Sequence, residues 1–499
     1  MSSLVTTLVL MPLGISSIAS NDWNTPCFTG HCSWDIPQAA QRAAGNLHIW
    51  GSSQAISDIT PAAGWVILDC DANSRAQDIR LVCKGNETET GCNHLLDDGM
   101  VGKIVRLPEK CGAVPFARVA NTWIPQVQNV SGSQVAKLVT SPSPVRAISL
   151  DTNFSALDAS QYGSVSFAVQ LTNSPVTNPE SVVASKRRSI DDQAFQRRSF
   201  FEGATRALNA RDLLPFNITN SIDLPSINYD ESVNLFNGSL PNGVADVPGN
   251  VTIDADVDAH LHMAIKLGVV IVGTIVPPTL DQAAVFAELN GNINSTLHVK
   301  ASGKADITTP AITLTKIALD NFDIADIVQI GPDFKLTAQV SADLQLGLDA
   351  KVGLSYNVDD VALVFPPNQG KSSASAIPGS SNSPTFSFIG SLDSLGADAN
   401  VTAHLIPALD VSVSVLGQGA TVTLAVDTSA TVALNGTVQS NGDKGNGCVD
   451  VRTGIDIYAD ASASLFGIFD VEEKFDIFED SFDLYNQCFA NGGSNSTTA

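Results

Sequence analysis

From Val251 to Leu267 every second residue is apolar. Val251, Ile253, Ala255, Val257, Ala259, Leu261, Met263, Ile265 and Leu267 alternate with Thr252, Asp254, Asp256, Asp258, His260, His262 and Lys266, and only Ala264 breaks the polar set. A repeat of two places one set on each face of a β-strand, whereas a helix would scatter both sets around its barrel. Past Leu267 the alternation gives way to Val269–Val272, apolar in sequence, as in a strand covered on both faces. As one strand, Val251–Val276 extends about 85 Å at roughly 3.3 Å per residue, so a bend or break is expected at Gly268 or Gly273.

The pattern returns at Ala284–Lys300, Ala311–Leu319, Phe334–Phe365, Thr385–Ile389, Asp398–Leu416, Ala420–Val438 and Val449–Phe469. The Gly/Ser/Pro-rich stretch Asn368–Pro384 and the turn-rich Gln439–Gly447 punctuate it. Asp254–Leu261 reads DADVDAHL and Asp398–Leu405 reads DANVTAHL, identical at six of eight positions, so one strand type recurs. Asn400 begins an Asn-x-Ser/Thr sequon on the polar face of the second copy. If it carries a glycan, that face and its equivalent at Asp254–His262 are in water. Few helical segments exist to cover the apolar faces, so sheet must cover sheet. The expected class is all-β, with residues 217–488 forming a large unit of long antiparallel strands as a sandwich, curled sheet or barrel.

Residues 20–172 read differently. Short strand-like runs (Asn46–Trp50, Trp65–Cys70, Asp78–Cys83, Lys103–Leu107, Phe116–Ile124, Ala147–Leu150 and Val165–Leu171) are separated by turns, and six cysteines lie among them. These are Cys27, Cys32, Cys70, Cys83, Cys92 and Cys111, and their pairing is open. Zinc is the competing reading for Cys27-x4-Cys32 beside His31 and His94. The CxxC knuckles of such sites are missing, however, and an oxidising route favours disulfides. A small disulfide-bridged, sandwich-like domain is expected. Cys448 and Cys488 have no other near partners and are expected to bond to each other, closing a loop of 39 intervening residues.

Between the units, residues 173–216 read as a basic linker. Lys186-Arg187-Arg188 and Arg197-Arg198 resemble the dibasic sites at which Golgi proteases cut secreted precursors, which makes Arg188 and Arg198 candidate processing residues. A solvated basic helix is the bland alternative. Residues 489–499 form a polar tail without the hydrophobic run of a lipid-anchor signal.

Composition narrows the setting. The formal net charge of −24 disfavours nucleic acid and anionic membranes as partners. Leu4–Leu13 with Ser17-x-Ala19 makes residues 1–19 an expected signal peptide. Sequons at Asn86, Asn129, Asn153, Asn217, Asn237, Asn250, Asn294, Asn400, Asn435 and Asn495 predict a glycoprotein. No downstream apolar run reaches the length of a transmembrane helix. Export to the extracellular space, with cell-wall association as a variant, is the expected localisation.

Candidate chemistry is sparse. His260 and His262 project from one face of a strand and are candidate metal ligands, with His404 or His298 as potential completing ligands. A polar outer face that happens to hold histidines is the simpler reading. The Asp254–Asp258 row lacks the spacing of an EF-hand calcium loop. The acidic segment Asp470–Asp483 offers Asp476, Glu479 and Asp480 as carboxylates for a hydrolase, but nothing in the sequence fixes a pair. No GxSxG, HExxH, Walker A or GxGxxG motif occurs. No cofactor is implied.

The segments Cys27-Phe28-Thr29-Gly30-His31-Cys32-Ser33-Trp34-Asp35, Asn46-Leu47-His48-Ile49-Trp50-Gly51 and Ile56-Ser57-Asp58-Ile59-Thr60 together resemble a group of uncharacterised secreted proteins of basidiomycete fungi. That group combines a cysteine-bearing N-terminal region, a basic linker and a long β-rich region. The resemblance implies compartment and organisation, and no activity. The expected function is a non-enzymatic binding or structural role outside the cell, with cell-wall carbohydrate as a candidate partner. A carrier holding a lipid or small apolar ligand between its long strands is the alternative, and a hydrolase using acidic residues the second.

Overall fold

The computed structural model describes residues 21–37, 43–130, 143–171, 222–240, 251–302, 305–344, 348–366, 372–378, 386–388, 398–437, 446–462 and 474–489. The signal segment 1–19, the linker 173–216 with Arg188 and Arg198, and the sequons at Asn217, Asn250 and Asn495 lie outside them.

The chain is all-β. Its first third holds β1 (His31–Pro37), β2 (Ala43–Gly51), β3 (Ile56–Asp58), β4 (Trp65–Ile67), β5 (Gln77–Cys83), β6 (Ile104–Arg106), β7 (Phe116–Trp123), β8 (Arg146–Asp151) and β9 (Val165–Leu171). Then follow β10 (Ile222–Leu240), β11 (Val251–Val276), β12 (Thr279–Ser302), β13 (Ala305–Thr308), β14 (Ile312–Ala318), β15 (Phe322–Ile324) and β16 (Val328–Leu344). Last come β17 (Leu348–Phe365), β18 (Ser373–Pro378), β19 (Phe386–Phe388), β20 (Ala399–Val415), β21 (Gln418–Thr437), β22 (Asn446–Ser462) and β23 (Phe475–Phe489).

Two large antiparallel sheets face each other. The first runs β1-β2-β9-β11-β12-β17-β18, with β10 also on β11 and β19 also on β17. The second runs β13-β16-β20-β21-β22-β23, with β14 and β15 also on β16. Their inward residues, among them Ala255, Met263, Phe334, Val358, Leu409 and Ile457, belong to one continuous apolar core. Tyr356 of β17 reaches across it, its hydroxyl donating to the Gly454 carbonyl of β22 at 3.4 Å. The two sheets also approach each other where β10 lies near β16 and where β18 lies near β23. Ala255, Ala259, Met263, Phe334, Leu336, Val358 and Leu409 are each 0% exposed. No water-sized space therefore adjoins these side chains, as in a close-packed interior.

β11 passes through Gly268 and Gly273 without breaking. At Gly273 the register against β12 shifts, so that Val272 faces Gln282 and Gly273 faces Leu280. The bulge replaces the expected break. A Cβ at Gly273 would stand 2.3 Å from the Thr279 carbonyl oxygen and 3.1 Å from Cε1 of Phe167, so only glycine admits this close pairing. The single alternating stretch Phe334–Phe365 divides between β16 and β17, which lie in opposite sheets. Alternation reports which face a residue occupies, and it carries no mark of a change of sheet.

The first third does not keep all its strands to itself. β3, β6, β7, β8, β5 and β4 form a separate six-stranded sheet, with β3 and β6 parallel. β1, β2 and β9 instead extend the first large sheet. β9 pairs with the C-terminal end of β11, from Val269↔Leu171 to Val276↔Val165. β10 takes the rest of the same edge, beginning at Leu267↔Ile222.

Candidate functional site

A groove of ≈ 480 Å³ crosses the second sheet at the β20–β21 hairpin end. Its floor is two rungs of outward residues: Gln329, Ser414 and Gly419 on one, and Gly331, Ser412, Thr421 and Ser462 on the next. Gly331 and Gly419 contribute no side chain, so the rungs sink between their neighbours. One wall is Asn321 and Asp323, at and within β15. A Cβ at Gly331 would come within 3.0 Å of Asn321 Oδ1, so glycine here keeps the floor open beside the wall. The hydroxyls of Ser412 and Thr421 lie 3.1 Å apart and hydrogen-bond. On the next rung Thr423 donates to Asp410 at 2.7 Å. Burial, with Asp410 adding to it, raises the Asp460 carboxyl above the ordinary range, while the Thr423 hydroxyl opposes the shift.

The wall is braced from the first third of the chain. Arg75 binds both Asp323 and Asp326 on the β15–β16 turn. That turn places Ala325 and Asp326 at φ 59° and 56°, a left-handed conformation seldom adopted by non-glycine residues. With the Asp323 charge taken by Arg75, the groove sets hydroxyls and amides that both donate and accept beside an apolar lining of Phe322, Ile330, Val413 and Ala420. That character suits a neutral, polyhydroxylated ligand.

The candidate ligands of the metal reading do not converge. His260 Nδ1 lies 2.6 Å from Asp230 Oδ1, and His262 Nδ1 donates to Asn228 Oδ1 at 2.6 Å. Each imidazole is thus engaged by the residue opposite it on β10. His404, on the outward face of the other sheet, is bound at 2.9 Å by Asp427. The hydrogen bond to Asp427 raises its pKa against the effect of burial. Among the described residues no three His, Cys, Asp or Glu side chains gather as a metal site requires. The two echoed octets nonetheless place His260 and His404 alike, outward and paired with an aspartate on a neighbouring strand.

Within the described residues the acidic segment lies on the edge strand β23, where Asp476, Glu479 and Asp480 are exposed. Asp476 is bound by Lys474, which also bridges to Asp456 at 2.6 Å and lies 4.2 Å from the centre of the Tyr458 ring. Asp476 is therefore committed to an ion pair. Glu479 and Asp480 are adjacent on a strand and project to opposite sides, so they cannot flank one bond.

The eight cysteines form four disulfides: Cys27–Cys32, Cys70–Cys111, Cys83–Cys92 and Cys448–Cys488. Zinc is excluded by this pairing, since no cysteine is free. Of the sequon asparagines described, Asn86, Asn129, Asn153, Asn237, Asn400 and Asn435 are exposed and Asn294 is half-buried.

Two polar clusters in the first third lay beyond the reach of motif reading. Ser57 Oγ is 2.9 Å from His94 Nδ1, and His94 Nε2 is 3.1 Å from the Phe28 carbonyl. The ring donates from Nε2 to that carbonyl, which leaves Nδ1 to accept the Ser57 proton. The pair has the form of a nucleophile and its base, but Ser57 is 0% exposed and Phe28 stacks on the imidazole at 4.6 Å. With the serine hydroxyl buried and the half-buried imidazole already satisfied, the pair is structural. Beside it, Arg106 Nη2 meets buried Asp58 at 2.7 Å, and Arg106 donates to the carbonyls of Asp22 and Thr25.

Residues 245–490, just under half of the chain, are similar to a family described as a domain of unknown function, DUF7223. The matched span runs from just before β11 to just after β23 and contains the whole groove. No curated protein and no solved structure matches the chain. Among the described residues, no helix is long and apolar enough to cross a membrane.

Proposed function

We propose that the protein is a secreted, N-glycosylated extracellular protein with a non-enzymatic binding role, and that the groove on the second sheet takes a neutral carbohydrate. The observation that carries this reading is where the sequons fall. The seven described sequon asparagines are exposed or half-buried, as acceptors of a bulky hydrophilic glycan must be. On the second sheet Asn400 and Asn435 sit near one end of their strands, whereas the groove lies at the other. From Asn400 to Ser412 is about 40 Å of strand at roughly 3.3 Å per residue, so glycans there leave the groove clear. Four disulfides and no free cysteine support an oxidising compartment. The likeness of the N-terminal segments to secreted basidiomycete proteins points the same way.

The carrier reading receives less support, because the inward side chains of the two sheets fill the space between them. The carboxylates named for a hydrolase are dispersed along an exposed edge.

The test has two arms. Protein recovered from the medium of a eukaryotic host is expected to lose mass on treatment with an N-glycan-removing glycosidase. The same protein is expected to bind neutral oligosaccharides on an array. Gly331→Leu fills the groove without a positive φ and is expected to lower that binding at least tenfold with an unchanged melting temperature. Unglycosylated protein retained in the cytosol would defeat the compartment. Undiminished binding in the leucine variant would defeat the groove.

A further inference from the structure

The first large sheet is assembled from two parts of the chain that no covalent bond ties together except the backbone of residues 172–221. Three disulfides lie before Leu171 and the fourth lies after Ile222, so none joins the two sides. Yet the sides are intimately paired. β9 lies along β11 over Val165–Leu171, and Val165, Phe167, Val169 and Leu171 are all within 2% of full burial in the common core. Phe167 covers Gly273, and Arg75 holds Asp323 and Asp326.

The two chain ends also return to one place. Leu171 pairs with Val269 and Ile222 with Leu267, two positions apart on the same edge of β11. That separation is about 7 Å along the strand. The fifty residues between them are thus not needed to position β9 or β10, because β11 does so. Those residues carry Lys186-Arg187-Arg188 and Arg197-Arg198. The span similar to DUF7223 begins at residue 245, so it leaves out every strand that covers this edge of β11.

We infer that the protein is built to mature into two non-covalently joined chains, the first donating β1, β2 and β9 to a sheet completed by the second. Hydrolysis of one peptide bond between Leu171 and Ile222 by a dibasic-specific endoprotease consumes one water. It leaves a new carboxylate on the first chain and a new amine on the second. β9 on the first chain and β10 on the second both remain paired with β11.

The test is to nick the purified full chain briefly with a Lys/Arg-specific endoprotease. In parallel, a full-length variant with an inserted site-specific protease sequence after Arg198 guarantees the cut. The expected result is one particle of unchanged size on a native column and unchanged native mass. The same sample gives two bands on a denaturing gel without reductant. Separation of the chains on the native column would overturn the inference, and so would a single non-reduced band after complete cleavage. In protein secreted by a host with Golgi dibasic proteases, the two-band pattern is expected without added enzyme, and an intact chain there overturns the maturation step.

Discussion

The six-stranded sheet of the first third and the facing pair of long-strand sheets are both β-structure, yet different interactions hold them. The long strands rely on repetition. Each places an apolar residue inward at every second position, and the sum of many ordinary burials fixes the register, because a slip of one residue would turn the whole apolar set to water. The short strands of the first third cannot do this, having three to eight residues each. They depend on particular polar groups. Asp58 accepts from the backbone N–H of Cys27 and Thr60 and is paired with Arg106, which fastens the segment Asp22–Thr25. Lys103 donates to the carbonyls of His94, Leu95 and Asp97 and closes the end of a one-turn helix. The Cys70–Cys111 and Cys83–Cys92 disulfides complete the set. Length buys the sandwich its stability; the smaller sheet needs cross-links.

The contrast is broken most directly at Asp58. Asp58→Ala leaves the Arg106 guanidinium buried without its anion, and removing one partner of such a pair costs about 3–5 kcal/mol. Denaturant unfolding with tryptophan fluorescence is expected to show the loss, together with early proteolysis before Arg106. The paired change Asp58→Leu with Arg106→Met is expected to recover part of it, since no charge is then stranded. An unchanged midpoint in Asp58→Ala would mean that the first third is not held as described.

In the sandwich the matching change is Leu409→Ala. Leu409 is 0% exposed between Phe334 and Leu424 on the neighbouring strands. A cavity there costs about 3 kcal/mol. The expected difference is one of kind. Leu409→Met, which conserves volume, should cost under about 1.5 kcal/mol, because the long strands ask for apolar bulk and not for one chemical group. A conservative Asp58→Asn keeps the shape and loses the charge, and is expected to fare much worse than Leu409→Met in the same unfolding assay.

The same contrast explains what the sequence disclosed. β11, β12, β20, β21 and β22 were visible because alternation is written into consecutive residues. The Cys448–Cys488 bond could be read from isolation alone. β10 was not visible, since Ile222–Leu240 is interrupted by Pro225 and bulges against β11 at two places. The groove was invisible for another reason. Asn321, Gly331, Ser412, Thr421 and Ser462 come from separate parts of the chain, and only the register of β16, β20, β21 and β22 brings them together. No local pattern encodes that register. Likewise His260 and His262 do share a face, as the period of two requires, but whether they meet a metal or a carboxylate depends on β10. The dependence of the first third on Asp58 and Arg106 could not be read either, because a single buried charge looks like any other Asp or Arg until its burial is known.

Acid and base titration act in opposite senses at one histidine of each large sheet, with a smaller effect. His48 of β2 is pushed down to about 4, by burial first and the nearby His31 second. The unfolded chain therefore takes up a proton at His48 that the folded chain refuses. Stability in this region is expected to fall as pH drops from about 6.5 towards 4, by up to ~3 kcal/mol. His404 runs the other way. Its hydrogen bond to Asp427 raises its pKa, so its contribution is complete below 6.5 and is lost as pH rises through the raised value. Burial also raises the carboxyl of Asp35, on the face of β1 that adjoins β2, and this opposes the His48 trend in the most acid range. The informative measurement is therefore a difference: melting temperature against pH for the native chain minus that for His48→Leu, and separately minus that for His404→Asn. The first difference should fall as pH drops from about 6.5 towards 4, and the second should fall as pH rises above 6.5. If both changed on the same side, the charge states assigned to the two histidines would be wrong, and with them the claim that the first large sheet excludes a proton at His48 where the second holds one at His404.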